Sequence, residues 1–206
     1  MRISLFDFQE DAKAKLIEKI KASRALQTMN QGQQIITFSA PTGAGKTIIM
    51  TSLFEDVLFG TADIEAQPDS IFVWLSDMPD LNEQSKQKIA SKSDMLRTNQ
   101  LITIDSSFQA ESLEPGNVYF LNTQKLGSDK LLTHRSDQRQ FTIWEALTNA
   151  ATQYPNQLYV VIDEAHRGMN ISSRAENAAN SIMQKFIVGS EADGLCAMPL
   201  IIGITA

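Results

Sequence analysis

Residues 34–50 read QIITFSAPTGAGKTIIM, and the order of residue types within that stretch decides the fold. A β-branched run, 34–39, meets a turn carrying Pro41, Gly43 and Gly45. A helix then begins near Gly45 and carries Ile48, Ile49, Leu53, Val57 and Leu58. A turn between a strand end and a helix start can aim successive backbone N–H groups at one point, and the helix adds its positive dipole end. Pro41, Thr42, Gly43, Ala44 and Gly45 would line that cradle, the two glycines letting a phosphate approach the backbone without a Cβ clash. Lys46 is placed to reach β- and γ-phosphates, and Thr47 to set its hydroxyl on Mg²⁺. The general pattern asks for glycine where Ala40 stands. The tight approach falls at Gly43 and Gly45, so a methyl group at the strand exit is sterically mild. By chance such a pattern, with Ala or Gly first, would occur in roughly 1–2% of chains of this length.

Composition limits what surrounds the loop. The chain has 206 residues, room for one well-packed domain, with 43% hydrophobic and 20% charged residues. One cysteine, Cys196, excludes an internal disulfide, and two histidines far from it give no zinc spacing. The N-terminus lacks a secretory apolar core and no apolar run reaches membrane-spanning length, so a cytoplasmic location is expected. The net charge of −6 repels polyanions as a whole. Binding to nucleic acid would have to come from a local surface.

Along the chain, 9–30 reads as a helix with an Ala12, Leu16, Ile17, Ile20 stripe. The polar stretch 61–70 reads as a connection, and 71–76 (IFVWLS) as a buried strand followed by a polar helix, 79–95. Further strands are predicted at 101–105, 117–122, 158–163 and 199–205, with helices at 140–153 and 174–188. Apolar strands alternating with helices predict an α/β fold, a mainly parallel central sheet with helices on both faces. The basic, polar stretch 128–140 (SDKLLTHRSDQRQ) reads most simply as a solvated loop.

LYVVIDEAHRGM (158–169) supplies the second half of a phosphate chemistry. Four apolar residues lead into Asp163 and Glu164, at the carboxyl end of a buried strand, the edge where parallel sheets bind ligands. Asp163 is suited to hold Mg²⁺, and Glu164 to orient and deprotonate an attacking water. Alone, two acids after an apolar strand say little; with the loop, they complete a site.

Together, APTGAGKT (40–47) and DEAH (163–166) resemble the superfamily 2 helicases and translocases. VYFLNTQKLG (118–127) and DEAHRG (163–168) are similar to the ATPase subunit of type III restriction enzymes and related DEAD/DEAH-box proteins. The resemblance covers nearly the whole chain. It implies a RecA-like P-loop domain over 1–206 that uses ATP and Mg²⁺, and whose full protein moves along nucleic acid, DNA favoured over RNA. Residues 1–33 would be an adenine-contacting segment and helix, with Gln9 hydrogen-bonding the adenine edge and Phe8 or Phe6 packing nearby. Ser76 with the following helix N-terminus, and Asn122, Thr123 and Gln124, would meet the nucleic-acid backbone, while Leu81 packs and Gln84 lies nearby; neutral donors can position such a backbone without a strong basic field. His166 and Thr205 would couple the two sites, and the strand ending at Thr205 would sit between the loop strand and the Asp-Glu strand. The resemblance further implies a longer protein with a second RecA-like domain carrying arginine fingers, and a possible methyltransferase subunit as partner; the fragment alone would be nearly inactive. Two alternatives stand beside this reading: a P-loop ATPase that remodels proteins, and a binding-only module.

Overall fold

The computed structural model describes residues 1–29, 32–137, 139–165 and 182–206. In chain order these form α1 (Asp7–Thr28), β1 (Gln34–Ser39), α2 (Lys46–Phe59), β2 (Ile71–Ser76), α3 (Pro79–Lys92), β3 (Leu101–Thr103), β4 (Val118–Asn122), α4 (Ile143–Gln153), β5 (Leu158–Ile162) and β6 (Leu200–Thr205). Residues 182–188 are helical. The six strands make one sheet in the order β1-β6-β5-β2-β4-β3, every pairing parallel. β6 lies between β1 and β5, as the resemblance implied.

Apolar runs dictate this arrangement. β2, β4 and β5 are buried at every position, as strands covered on both faces must be. One core layer joins α1, α2 and α3 to the sheet through residues such as Leu16, Phe54, Trp74 and Ile202. The other joins α4 and 182–188 to it through Trp144, Leu147, Phe186 and Val160. In the first layer Phe54 of α2 lies 4.3 Å from Phe72 of β2, centroid to centroid. Such a pair contributes about 0.5–1.5 kcal/mol beyond the area it buries. The layers place the exits of β1, β2, β4, β5 and β6 on one edge, where the loop and the acids sit.

The elements depart from sequence expectation where side chains intervene. α1 starts at Asp7, not at residue 9, because Gln9 Oε1 accepts the Phe6 N–H at 3.0 Å and closes the first turn. α3 stops at Lys92, not 95, because the Asp94 and Met95 N–H groups donate to the buried Glu55 carboxylate at 2.8 and 3.1 Å. The Ser93 hydroxyl and the Met1 amino group donate to it as well. Burial would push the Glu55 carboxyl up, but these donors overcome it and hold the group below its ordinary value. β3 ends at Thr103: Ile104 N–H still reaches Phe120 O at 2.9 Å, and the chain then turns as Asp105 Oδ1 accepts from Ser107 N.

The stretch 128–140 is not the solvated loop its composition suggests. Leu132 is buried in the second core layer, and the buried Arg139 guanidinium donates to the carbonyls of Phe108 and Ser106. Arg139 thereby ties the stretch to the loop after β3. Part of the 174–188 helix expectation lies outside the described residues; 182–188 accords with it. Among the described residues, no helix is long and apolar enough to cross a membrane.

Candidate nucleotide site and strand-exit edge

β1 hands the chain to the loop without breaking the sheet: Ala40 N–H donates to Thr205 O at 3.1 Å, beyond the last paired residues, Ser39 and Thr205. The loop then closes on itself, Ala44 N–H donating to Pro41 O at 3.0 Å. Gly43 (φ 85°) and Gly45 (φ 82°) take left-handed conformations that residues with a Cβ resist. Gly45 also caps α2, its carbonyl accepting from Ile48 and Ile49. The two glycines differ in surroundings. A Cβ at Gly43 would meet open space, whereas one at Gly45 would lie 2.5 Å from Gln9 Nε2. Lys46 Nζ folds back to the Ala40 carbonyl at 3.0 Å, across the mouth of the turn. Thr47 stands in the first turn of α2, its carbonyl accepting the Thr51 hydroxyl at 2.7 Å.

Gln9 was expected to face adenine, and its amide is engaged inside the protein. It is 5% exposed, accepts from Phe6 N, and donates to Ala44 O at 2.9 Å, so α1 grips the loop from behind. Phe8, 55% exposed, lies parallel to Phe6 at 6.0 Å. It borders a groove of about 400 Å³ between α1 and β1.

At the neighbouring exit, β5 ends at Ile162, yet Asp163 keeps the sheet alignment through its N–H to Leu75 O at 2.9 Å. Burial, then the adjacent Glu164 charge, push the Asp163 carboxyl above its ordinary value. The Glu164 N–H, the Trp74 indole and the Lys46 ammonium pull the other way. Lys46 and Asp163, 117 positions apart along the chain, therefore share one electrostatic environment. Glu164 has φ 53°, the sole positive value outside glycine among the described residues. Ala165 packs against β6, where a Cβ at Gly203 would meet it at 3.4 Å. His166 lies outside the described residues.

The residues fit Mg²⁺ and a nucleoside triphosphate. The turn leaves space over Gly43, Lys46 flanks it, and a half-buried carboxylate disfavoured by its own surroundings stands where a cation would relieve it. Thr47 and Asp163 would hold the cation.

The exits of β2 and β4 are different in kind. Ser76 and Asn122 are register partners, and with Thr123 all three are buried. Ser76 Oγ bonds its local Met78 backbone, and Asn122 Oδ1 accepts from Gln124 N at 2.8 Å. Gln124 is exposed and donates to Asp77 O at 3.1 Å, tying the two exits together. Four buried atoms at these exits have no hydrogen-bond partner among the described residues: Asp77 Oδ1, Asn82 Oδ1, Asn122 Nδ2 and Thr123 Oγ1. Asn82, on α3, and Asn122 line a shared cleft with Lys125 and Glu83. Asn82 gave no signal in the sequence, since one asparagine in a polar helix reads as solvated.

A family model described as "Type III restriction enzyme, res subunit" matches residues 2–206. No curated protein matches the chain.

Proposed function

Since the chain belongs to the type III restriction enzyme res-subunit family, a superfamily 2 helicase-like ATPase domain, we propose that it binds Mg·ATP between the loop after β1 and the exit of β5 and hydrolyses it in response to nucleic acid, DNA favoured. The observation that carries this reading is the convergence of Lys46 and Asp163, which the order β1-β6-β5 brings to one edge. Thr42, Gly43 and Gly45 offer backbone N–H groups to the phosphates, Pro41 shapes the turn by holding the Ala44 N–H on its carbonyl, and Lys46 leaves the Ala40 carbonyl to meet the β- and γ-phosphates. Thr47 and Asp163 hold Mg²⁺, which when bound neutralises charge on the transferring phosphoryl group. Glu164 orients the attacking water and takes its proton. Phe8 offers its exposed ring to the adenine, and Gln9 links that contact to the loop through Ala44.

The nucleic-acid half rests on the orphan polar atoms at the β2 and β4 exits. Burying a polar group without a partner costs free energy, so the two that can donate, Asn122 Nδ2 and Thr123 Oγ1, favour a ligand that supplies acceptors such as phosphate oxygens. Ser76, Asn122, Thr123 and Gln124 would meet a phosphodiester backbone there through hydrogen bonds from neutral groups. A ligand reaching the buried members would have to open the α3 end of the cleft. Thr205, paired with Ser39 at the mouth of the loop, and His166 are the residues proposed to couple the two halves.

In the working assembly a second RecA-like domain supplies arginine fingers, each worth about 10³–10⁵ in rate, so this domain alone should turn over ATP slowly. A methyltransferase subunit as partner and a cytoplasmic location complete the proposal. Titration of labelled ATP into the wild-type protein and Lys46→Ala tests it. Equal affinities would sink the nucleotide site. Stimulation of turnover by duplex DNA in the assembled enzyme supports the nucleic-acid half, whereas stimulation only by a protein substrate would favour a protein-remodelling ATPase.

A further inference from the structure

Trp74 sits in the middle of β2, fully buried in the first core layer, with its ring edge-on to Phe54 of α2 at 6.2 Å. Its register partner on β5 is Val161. Side chains alternate along a strand, so Asp163, two residues past Val161 and still aligned through Leu75 O, falls on the same sheet face as Trp74, one step nearer the loop. Packing alone does not require tryptophan here, because Phe54 and Phe72 already fill the layer beside it. What tryptophan adds is one N–H donor. Buried indole N–H groups usually find an acceptor, yet Trp74 Nε1 has no hydrogen-bond partner among the described residues. The carboxylate that the strand register brings to this face, at the loop end of β5, is that of Asp163.

We propose that Trp74 is a positioning residue for Asp163: its indole N–H, standing behind the carboxylate on the core side, holds one oxygen and leaves the other aimed at the phosphate loop for the cation. The inference rests on the nucleotide-site reading above and deepens it. A charge-assisted hydrogen bond that shortens when the cation and nucleotide settle would orient the ligand without occupying the site. Trp144, the other tryptophan, also has an unpartnered buried indole N–H, but it lies in the opposite layer with Lys185 over its ring, which makes it an internal control.

Two measurements test the proposal. The protein gives two indole N–H resonances in a ¹⁵N-correlated spectrum, and Trp74→Phe identifies the Trp74 signal by its loss. Asp163→Asn, recorded without nucleotide or cation, should move the Trp74 resonance and leave that of Trp144 in place. An unmoved Trp74 resonance overturns the contact. In the second measurement Trp74→Phe should need on the order of 10-fold more Mg²⁺ for half-maximal binding of labelled ATP, while its affinity for ATP without Mg²⁺ stays that of the wild type. An unchanged Mg²⁺ requirement in a folded Trp74→Phe protein overturns the positioning role. Should that variant fail to fold, Trp144→Phe assigns the two resonances by elimination, and the Asp163→Asn spectrum still decides the contact. The outcomes separate from the parent reading, because loss of the nucleotide site would appear in Lys46→Ala, whose Trp74 resonance need not change.

Discussion

The two ends of α3 are both buried among polar groups, and they are treated in opposite ways. At its C-terminal end the Glu55 carboxylate meets four donors, from Met1, Ser93, Asp94 and Met95. At its N-terminal end Asp77, Asn82, Asn122 and Thr123 each bury an atom that has no partner among the described residues. A satisfied network rigidifies and stabilises; an unsatisfied one costs stability and persists where something else uses it. The contrast separates residues that hold this fold from residues that the fold holds ready.

Substitutions can break or sharpen that contrast. The largest effect is expected at Glu55→Ala, which strands four donors at once and should lower unfolding stability by about 3 kcal/mol, read from urea melts. Because the folded Glu55 carboxyl is held below its ordinary value, its contribution is present above the ordinary carboxylate range and is lost as pH falls through the depressed value. A stability profile flat through acid would refute the role.

Gly45→Ala comes next. It combines a left-handed backbone with a Cβ 2.5 Å from Gln9 Nε2, so a loss of about 1–3 kcal/mol is expected together with weakened nucleotide binding. Gly43→Ala, which meets open space, should cost only the conformational part, about 1 kcal/mol. Equal costs at the two glycines would show that the Gln9 grip on the loop is unimportant.

Glu145 is a satisfied group at the surface and an intermediate case. It forms a capping box with Thr142 at the start of α4 and pairs with Arg135, which together hold its carboxyl down at about 2. Glu145→Gln should cost about 0.5 kcal/mol at neutral pH, a difference that disappears as pH falls toward 2 and the wild-type carboxylate protonates. The smallest stability effect belongs to the orphan end. Thr123→Val removes a hydroxyl with no partner and keeps the shape, so stability should stay within about 0.5 kcal/mol of wild type or rise. Stimulation of ATP turnover by DNA should fall all the same. Destabilisation by more than 1 kcal/mol would mean that the hydroxyl has a structural partner, and would remove Thr123 from the nucleic-acid edge.

The sheet was legible in the sequence because strands such as 34–39 and 71–76 are apolar runs with turn residues at their ends, and local composition carries that information. The loop was legible for the same reason: strand, glycines, lysine and helix are contiguous. Side-chain reach across the chain was not. Nothing local announces that Glu55 ends α3, that Gln9 holds Ala44, or that Arg139 pins 128–140 to carbonyls 31 and 33 residues earlier in the chain. The burial of Ser76, Asn122 and Thr123 depends on how α3 crosses the strand exits, which residue types do not encode.

Glu164 carries a backbone angle of 53° that a side chain with a Cβ adopts at a cost of about 1–2 kcal/mol, and Gly or Asn would take it more easily. A lineage kept only for its shape would have a standing incentive to drift away from glutamate there. Laboratory evolution can exploit this: libraries selected for heat resistance alone should accumulate Gly or Asn at position 164, while libraries that must also hydrolyse ATP should retain the acid. The tension between those two outcomes would make position 164 a record of what the molecule has been required to do.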